Sequence, residues 1–379
     1  MSSKSDVLII GGGLAGLTAA IHLSKSGLAV TVIEKSSYPR HKVCGEYISN
    51  EILPYLDWIG VDVSQLNPVT INKFEFSSVS GATAKSDLPL GGFGVSRYVL
   101  DDYLYKKAVS VGCDVICANV THIQFANDSF TILTADEEYK ARIVIGAYGK
   151  RSNVDKVLSR KFISKNAPWL AVKAHYRGNF ADDTVALHNF DGGYCGASKV
   201  EDGNINICYL ADYATFRKYK NIEDYQENEL YKNGHLRQLF ENSSMVFDKP
   251  LTISQISFDR KQPVENHILM TGDTAGLIHP LCGNGMAMAI HSAKIASESI
   301  LDYFSGKIDS REKLEQEYTK QWKAAFSRRL FMGRVLGKVL RNKSLTNVMM
   351  HTAVRLPGVL PALIKQTHGK PIMIKNEWV

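Results

Sequence analysis

At 379 residues and 45% apolar side chains, the chain is long enough for two domains or one large interleaved one, and apolar enough to bury a sizeable core. No uncharged apolar run approaches bilayer length, which argues against a spanning helix. The net charge of +7 is uneven: Tyr318 to Asn376 carries twelve Lys and Arg and no Asp or Glu, leaving the body before it slightly acidic.

Met1 to Asp6 leads straight into a strand, a start that predicts no signal peptide. Six cysteines (Cys44, Cys113, Cys117, Cys195, Cys208, Cys282) lack CxxC spacing, which argues against zinc and a disulfide framework and predicts a reducing cytoplasm. The apolar run Asp6 to Ile10 predicts a buried parallel strand, followed at once by Gly11-Gly12-Gly13-Leu14-Ala15-Gly16. Leu17 to Ser26 reads as a helix stopped by Gly27, and Ala29 to Ile33 as a second strand ending at Glu34 and Lys35. In a GxGxxG turn the first glycine permits the bend, the second lets backbone approach a pyrophosphate, and the third lets helix and strand pack closely. Gly11, Gly13, Ala15 and Gly16 are therefore candidate dinucleotide contacts at a helix N-terminus. Glu34 is placed to accept hydrogen bonds from an adenosine ribose and to repel a 2′-phosphate. A lone GxGxxG is weak, but here the strand, the helix and the terminal acid accompany it.

Further along come Pro39 to Ser49 (PRHKVCGEYIS), Arg97-Tyr-Val-Leu-Asp101, and Gly146-Ala-Tyr-Gly149-Lys-Arg-Ser152. Trp169 to Ser257 predicts a mostly antiparallel sheet (WLAVKAHYRG, TVALHNF, NINICYLA, LTISQISF) interrupted by helices near Ile222–Tyr231 and Gly234–Asn242. His267 to Met270 is a strand, then Thr271-Gly272-Asp273 and, after His279-Pro280, Gly283-Asn284-Gly285 opening a helix. After Leu314 the chain reads as helical.

These later stretches resemble FAD enzymes of the p-hydroxybenzoate hydroxylase fold, and especially their geranylgeranyl reductase branch. The resemblance runs from Val7 to about Ser297. It implies that Gly272 and Asp273 bind the ribityl chain of FAD, that Gly283 and Gly285 open a helix aimed at the flavin pyrimidine, and that Arg97 contacts FAD. A helix N-terminus there would stabilise the negative charge of a reduced flavin. The Cys44-Gly45 pair would precede the substrate side of the flavin. The strands around Asp191–Cys195 and Asn204–Cys208 would roof it. One departure concerns the family's DG motif: its aspartate is replaced by Tyr148, while Gly149 and Ser152 remain. Gly149 stays a candidate FAD contact. NADPH or NADH is the candidate electron donor, with Tyr148 arguing against direct NADPH reduction and for a ferredoxin-like or quinol donor.

The fold expected is α/β. A discontinuous Rossmann-like FAD-binding domain (1–70, 96–160 and 262–305) is joined to an antiparallel β-sheet substrate domain (71–95 and 161–261) and a C-terminal basic helical region (306–379). Flavin carries the hard chemistry, and no metal-ligand spacing or nucleophile elbow is present, so no metal is assigned. Catalytic candidates are Cys44, as an acid or a small space-filling residue, and Glu46, as a proton carrier or a surface acid. His279 joins them, as a neutral hydrogen-bonding imidazole or a backbone cap. The leading function is hydride transfer through FAD to a double bond of a small hydrophobic, lipid-like substrate. An aromatic monooxygenase is the alternative. A flavin halogenase is disfavoured by the lack of a WxWxIP segment. In the tail, Phe326, Leu330, Phe331, Val335, Leu336, Val339 and Leu340 fall at helical spacing among Arg328, Arg329, Arg334, Lys338, Arg341 and Lys343. That pattern fits either peripheral membrane contact or a helix packed on the body with a solvated basic face; Leu356 to Ile364 adds apolar weight to the first. Nucleic-acid binding is disfavoured, because no aromatic-interleaved RNA motif accompanies the basic residues.

Overall fold

The computed structural model describes residues 3–356 and 358–374; Pro357 and the end of the basic stretch, 375–379, lie outside them. Strand Ser3–Ile10 sits inside a parallel set in the order Asp114–Cys117, Val30–Glu34, Ser3–Ile10, Glu138–Gly146, Ile268–Met270. Its apolar half, Val7 to Ile10, is fully covered, as a parallel strand with both faces packed must be. Helix Leu14–Lys25 is apolar or small on nearly every side over its first ten residues, and it packs against helix Gly285–Phe304 and helix Arg97–Ser110. A hairpin, His122–Ala126 and Ser129–Leu133, extends the sheet antiparallel to Glu138–Gly146.

The second sheet has nine strands. Its order runs Ser243–Met245, Trp169–Gly178, Ile205–Asp212, Gly193–Lys199, Thr184–Phe190, Val69–Ser77, Thr83–Gly94, Tyr47–Ser49, with Leu251–Ile256 also on Trp169–Gly178. All pairs are antiparallel except Thr184–Phe190 with Val69–Ser77. The helices within the predicted sheet region appear at Ile222–Asn228 and Gly234–Glu241. The long strand Thr83–Gly94 (TAKSDLPLGGFG) has little apolar alternation; sheet pairing rather than local propensity makes it a strand. Tyr47–Ser49 already belongs to this sheet, so the chain crosses to it well before residue 70.

Three helices close the chain: Arg311–Leu340, Lys343–Arg355 and Val359–Thr367. The first buries a single stripe, Leu314, Tyr318, Trp322, Phe326, Leu330, Gly333, Gly337 and Leu340, at steps of three and four. Phe331 and Val335, placed by sequence in the same apolar set, point outward instead. No described helix is long and apolar enough to cross a membrane.

Candidate active site

The carboxyl ends of four parallel strands are held level by three backbone hydrogen bonds: Gly11 N to Ile33 O (2.8 Å), Ala147 N to Ile10 O (2.8 Å) and Thr271 N to Gly146 O (2.9 Å). Ligands of open parallel sheets bind at this edge. At its centre Gly11 has φ +106°, a conformation glycine adopts freely. A Cβ on Gly16 would stand 1.9 Å from Gly11 O, so only glycine lets this helix start so close to the strand. A Cβ on Gly13 would meet only Arg97 Nη2 at 3.7 Å and Lys42 Nζ at 3.8 Å. Gly13 thus presents bare backbone, at the head of a helix whose first turn has no side-chain cap and no acid, to two cations.

Asp101 organises those cations. Its fully buried carboxylate accepts from Arg97 Nε (2.7 Å) and Nη2 (2.8 Å) and pairs with Lys42 Nζ at 2.7 Å. Burial opposes its charge, but Arg97 and Lys42 outweigh burial and hold the carboxyl below its usual range. Two cations on one carboxylate leave a net positive charge facing Gly13, suited to a pyrophosphate. Burial, then Arg97, brings Lys42 down to about 8. The structure thus brings Arg97 and Lys42, both candidates for phosphate contact by sequence, to Gly13, and adds Asp101 as the acid that holds them.

Glu34 lies under the turn, accepting from Gly12 N at 2.7 Å and Ser36 N at 3.2 Å. Arg40, which follows Glu34 closely in sequence, pairs with it at 2.7 Å. Lys35 is exposed. Tyr38 donates to Gly12 O at 2.6 Å and stacks on Tyr105 at 4.6 Å, closing the outer side of the turn.

The distant glycine loop arrives at the same place. A Cβ on Gly272 would lie 3.2 Å from the Ala15 side chain, and Gly272 N donates to Ser292 Oγ at 2.8 Å. Gly149 N donates to Thr274 Oγ1 at 2.8 Å, tying the Tyr148-bearing loop to this one. Lys261 Nζ donates to the carbonyls of Asp273 (2.9 Å) and Lys150 (3.0 Å), bracing both loops from behind. The half-buried Asp273 carboxylate accepts no hydrogen bond among the described residues, so its oxygens are available to a ligand hydroxyl. Gly283 (φ +60°) lets the chain turn against the Tyr47 ring, and helix Gly285–Phe304 begins without a side-chain cap. Asn284 is drawn aside: it donates to Glu51 at 3.1 Å and accepts from Arg329 at 3.1 Å, while Arg329 also pairs with the fully buried Glu51 at 2.9 Å. The first amides of a twenty-residue helix are thereby left for a ligand.

Between the two loops lies the Cys44–Glu46 segment. Glu46 is wholly buried at φ +53°, a conformation that costs a non-glycine residue of order 1–3 kcal/mol. Three bonds hold it there: Lys173 Nζ (2.9 Å), His175 Nε2 (2.6 Å) and Arg97 N (2.9 Å). Burial would raise its carboxyl, but the His175 hydrogen bond and the Lys173 charge prevail and hold it below the ordinary range. Glu46 is accordingly a fixed anion that orients Lys173 and His175; it does not carry the proton of a desolvated acid. Cys44 sits beside Arg97 and is anchored by Asn206 Nδ2 to its carbonyl at 3.2 Å. Cys208, near it, has a thiol pushed by burial to about 12. Lys173 and His175 stand at alternate positions within the otherwise apolar, buried stretch from Trp169 to Tyr176, and both are buried with it. Two ionisable residues on one face of such a strand were the sequence signal for this cluster.

Trp169 lies on that same face. It joins Ala171, Tyr194, Leu210, Ile256 and Leu277 in an apolar cluster against which Val43 and Leu281 pack. His279 is brought to this aromatic nest, away from Glu46: it stacks on Phe258 at 4.5 Å, meets Trp169 edge-on at 5.9 Å and places Nδ1 3.5 Å from Tyr194 OH. Burial, then Arg341, lowers it to about 3, so it is neutral. It caps no backbone group of the turn that follows, and its buried Nε2 has no partner among the described residues.

A sequence profile for the FAD binding domain matches residues 4–325. Digeranylgeranylglycerophospholipid reductase of Methanosarcina acetivorans is 26% identical over 85% of this chain and 81% of its own. Among solved structures, a geranylgeranyl bacteriochlorophyll reductase-like protein from Thermoplasma acidophilum superposes with TM-score 0.74 at 19% identity over 97% of each chain. A flavin-dependent brominase superposes with TM-score 0.78 at 18% identity over 96% of this chain and 93% of its own.

Proposed function

Because the chain belongs to the FAD binding domain family and is an FAD-dependent oxidoreductase, we propose that it reduces a carbon–carbon double bond of an isoprenoid or other lipid-like substrate. Its residues fit the cofactor. Gly13 with Lys42 and Arg97 would take the pyrophosphate, Glu34 the adenosine ribose, Asp273 the ribityl hydroxyls, and the uncapped start of helix Gly285–Phe304 the pyrimidine edge. Bound FAD supplies the hydride; the protein supplies position, dryness and a proton.

The observation that carries this reading is the makeup of one sheet face. Trp169, Ala171, Tyr194 and Leu210 give an apolar surface facing Leu277, and the ionisable groups beside it are Lys173 and His175, held by Glu46. An apolar surface suits a hydrocarbon chain and excludes water from the reacting bond. Saturating a double bond requires one proton besides the hydride. In this proposal Lys173 or His175 furnishes it, while the Glu46 carboxylate keeps both donors aimed inward. Cys44, next to Arg97, is the residue assigned to the substrate side. His279 shapes the far end of the apolar face as a neutral imidazole. The family resemblance extends in name to a lipid reductase, which supports the substrate class.

Anaerobic single turnover tests the proposal. The FAD-loaded protein is reduced with dithionite and mixed with a polyprenyl glycerolipid. Flavin reoxidation with a product gaining one molecule of hydrogen per double bond is expected. Failure to reoxidise without oxygen, together with an oxygenated product in air, would overturn it in favour of a monooxygenase. Mixing the oxidised protein with NADPH and with NADH in the same apparatus should leave the flavin yellow, since Tyr148 stands where the family's aspartate would help place a nicotinamide.

A further inference from the structure

We infer that the outer faces of helices Arg311–Leu340 and Lys343–Arg355 form a docking surface for an anionic lipid bilayer, with the protein lying on the membrane and not crossing it. Among the described residues, the six most exposed large hydrophobic side chains all lie in the C-terminal region: Phe331 on the first of these helices, Leu345, Val348 and Val354 on the second, Leu356 just after it, and Met373 (81%) beyond helix Val359–Thr367. On helix Arg311–Leu340, Arg328, Phe331, Val335 and Lys338 occupy one exposed face at helical spacing. At the end of helix Lys343–Arg355, Val354, Arg355 and Leu356 are three consecutive exposed residues. The side chain of Lys343 and all of Pro357 lie outside the described residues.

The opposite faces of these helices are committed to the body. Leu340, Met350, Ala353, Leu360 and Ile364 bury against Ile71, Phe76, Ala84 and Leu88 of the second sheet. Gly333 and Gly337 press on Ile278, Cys282 and His279. The exposed apolar residues are therefore left over after packing and are not a core awaiting assembly. A soluble surface gains nothing by exposing Phe331, Leu345, Val348, Val354 and Leu356 along two consecutive helices.

Charge selects the occupant. From Tyr318 to Asn376 the chain carries twelve cations and no acid; Arg329 and Arg341 are paired with Glu51 and Asp212, while Arg328, Lys338 and Arg355 are exposed among the apolar side chains. A second copy would bring two such regions together and repel. An anionic phospholipid surface attracts the cations while its acyl boundary takes up the apolar side chains. The proposed surface is the outer side of helix Arg311–Leu340, whose inner side meets His279 through Gly337. The surface itself does not depend on the reaction proposed above.

The test is co-sedimentation of the FAD-loaded full chain with vesicles of phosphatidylcholine alone and of phosphatidylcholine with phosphatidylglycerol. Binding to the second and not the first, weakened by salt, is expected. Phe331→Asp with Leu356→Asp should abolish it. Arg328→Gln with Lys338→Gln should weaken it by ~30-fold. Both variants should keep the flavin spectrum and melting temperature of the parent, because all four side chains are exposed. Equal retention by neutral and anionic vesicles would overturn the inference. So would no retention of the parent, or a dimer in light scattering that Phe331→Asp dissolves without any effect on vesicles. None of these outcomes bears on whether the reduced flavin saturates a double bond.

Discussion

Glu46 and Lys173, 127 residues apart, meet in a 2.9 Å ion pair from which solvent is wholly excluded. Glu46 immediately precedes the strand at one end of the second sheet, and Lys173 lies near the other end, so the sheet must curl over the Cys44–Glu46 segment for them to touch. Removing one partner strands a buried charge, which costs about 3–5 kcal/mol, whereas removing both need not. Lys173→Met should lower the melting temperature sharply. Glu46→Gln with Lys173→Met should recover most of the loss. A double-mutant cycle by thermal denaturation checks this, and additive losses would show that the two residues do not act as a pair.

Gly13 and Gly16 should separate binding from folding. Gly16→Ala would drive a methyl group into the Gly11 carbonyl and force the turn apart, costing ~2 kcal/mol or more of stability. Gly13→Ala meets nothing nearer than 3.7 Å, so the apoprotein should keep its stability. The new methyl group would stand where a pyrophosphate approaches, and FAD affinity should fall by ~10-fold or more. Melting of the apoprotein and fluorescence titration with FAD read the two effects. Equal FAD affinity in Gly13→Ala would move the phosphates elsewhere.

The parts most legible in sequence were those written in backbone requirements. Gly11 and Gly16 mark a turn that a larger residue would break, and Gly272 and Gly283 turn the second loop at positive φ; the structure brings Gly272 against Ala15. The strands Trp169–Gly178, Thr184–Phe190, Ile205–Asp212 and Leu251–Ile256 were visible as β-rich runs. What stayed hidden depends on long-range contact. Asp101 reads as an ordinary helix acid until Lys42 folds onto it. Lys173 and His175 look misplaced in an apolar strand until Glu46 is supplied from the far end of the sheet. Phe331 looked like the neighbouring Leu330, but only packing against Gly276 decides which of the two is inside.

Lys42 gives the cofactor site a pH dependence. In the free protein it titrates near about 8, lowered by burial first and Arg97 second. Below that pH it carries the charge that would face a phosphate; above it, only Arg97 does. FAD affinity should be constant in neutral solution and decline as the pH rises past about 8. The decline should amount to ~10-fold or more, the worth of one charge-assisted hydrogen bond. Lys42→Met should bind more weakly throughout and show no such decline. A titration series across this range, with the same slope in the variant, would assign the effect to another group.

Acid should destabilise the fold earlier than its carboxylates alone would. Burial, with Lys294 and Lys25 behind it, lowers His22 from 6.5 to about 3, and burial with Arg341 lowers His279 to about 3. A folded pKa below the unfolded one means that the unfolded chain binds more protons between those two values, so stability falls as the pH drops through 6.5 toward 3. Each pH unit inside that window is worth up to about 1.4 kcal/mol per histidine. Glu46 and Asp101, whose pKa values are depressed from 4.5 and 3.8, lose their contribution only at lower pH, so the limb between 6.5 and 4.5 belongs to the histidines. His22 bonds Tyr55 OH through Nδ1 at 2.8 Å, and His22→Asn keeps a polar atom at that position without a titrating ring. Melting temperature against pH should therefore slope less in His22→Asn than in the parent over this limb, and converge with it nowhere above neutrality. An unchanged slope would mean that His22 is already protonated in the folded chain.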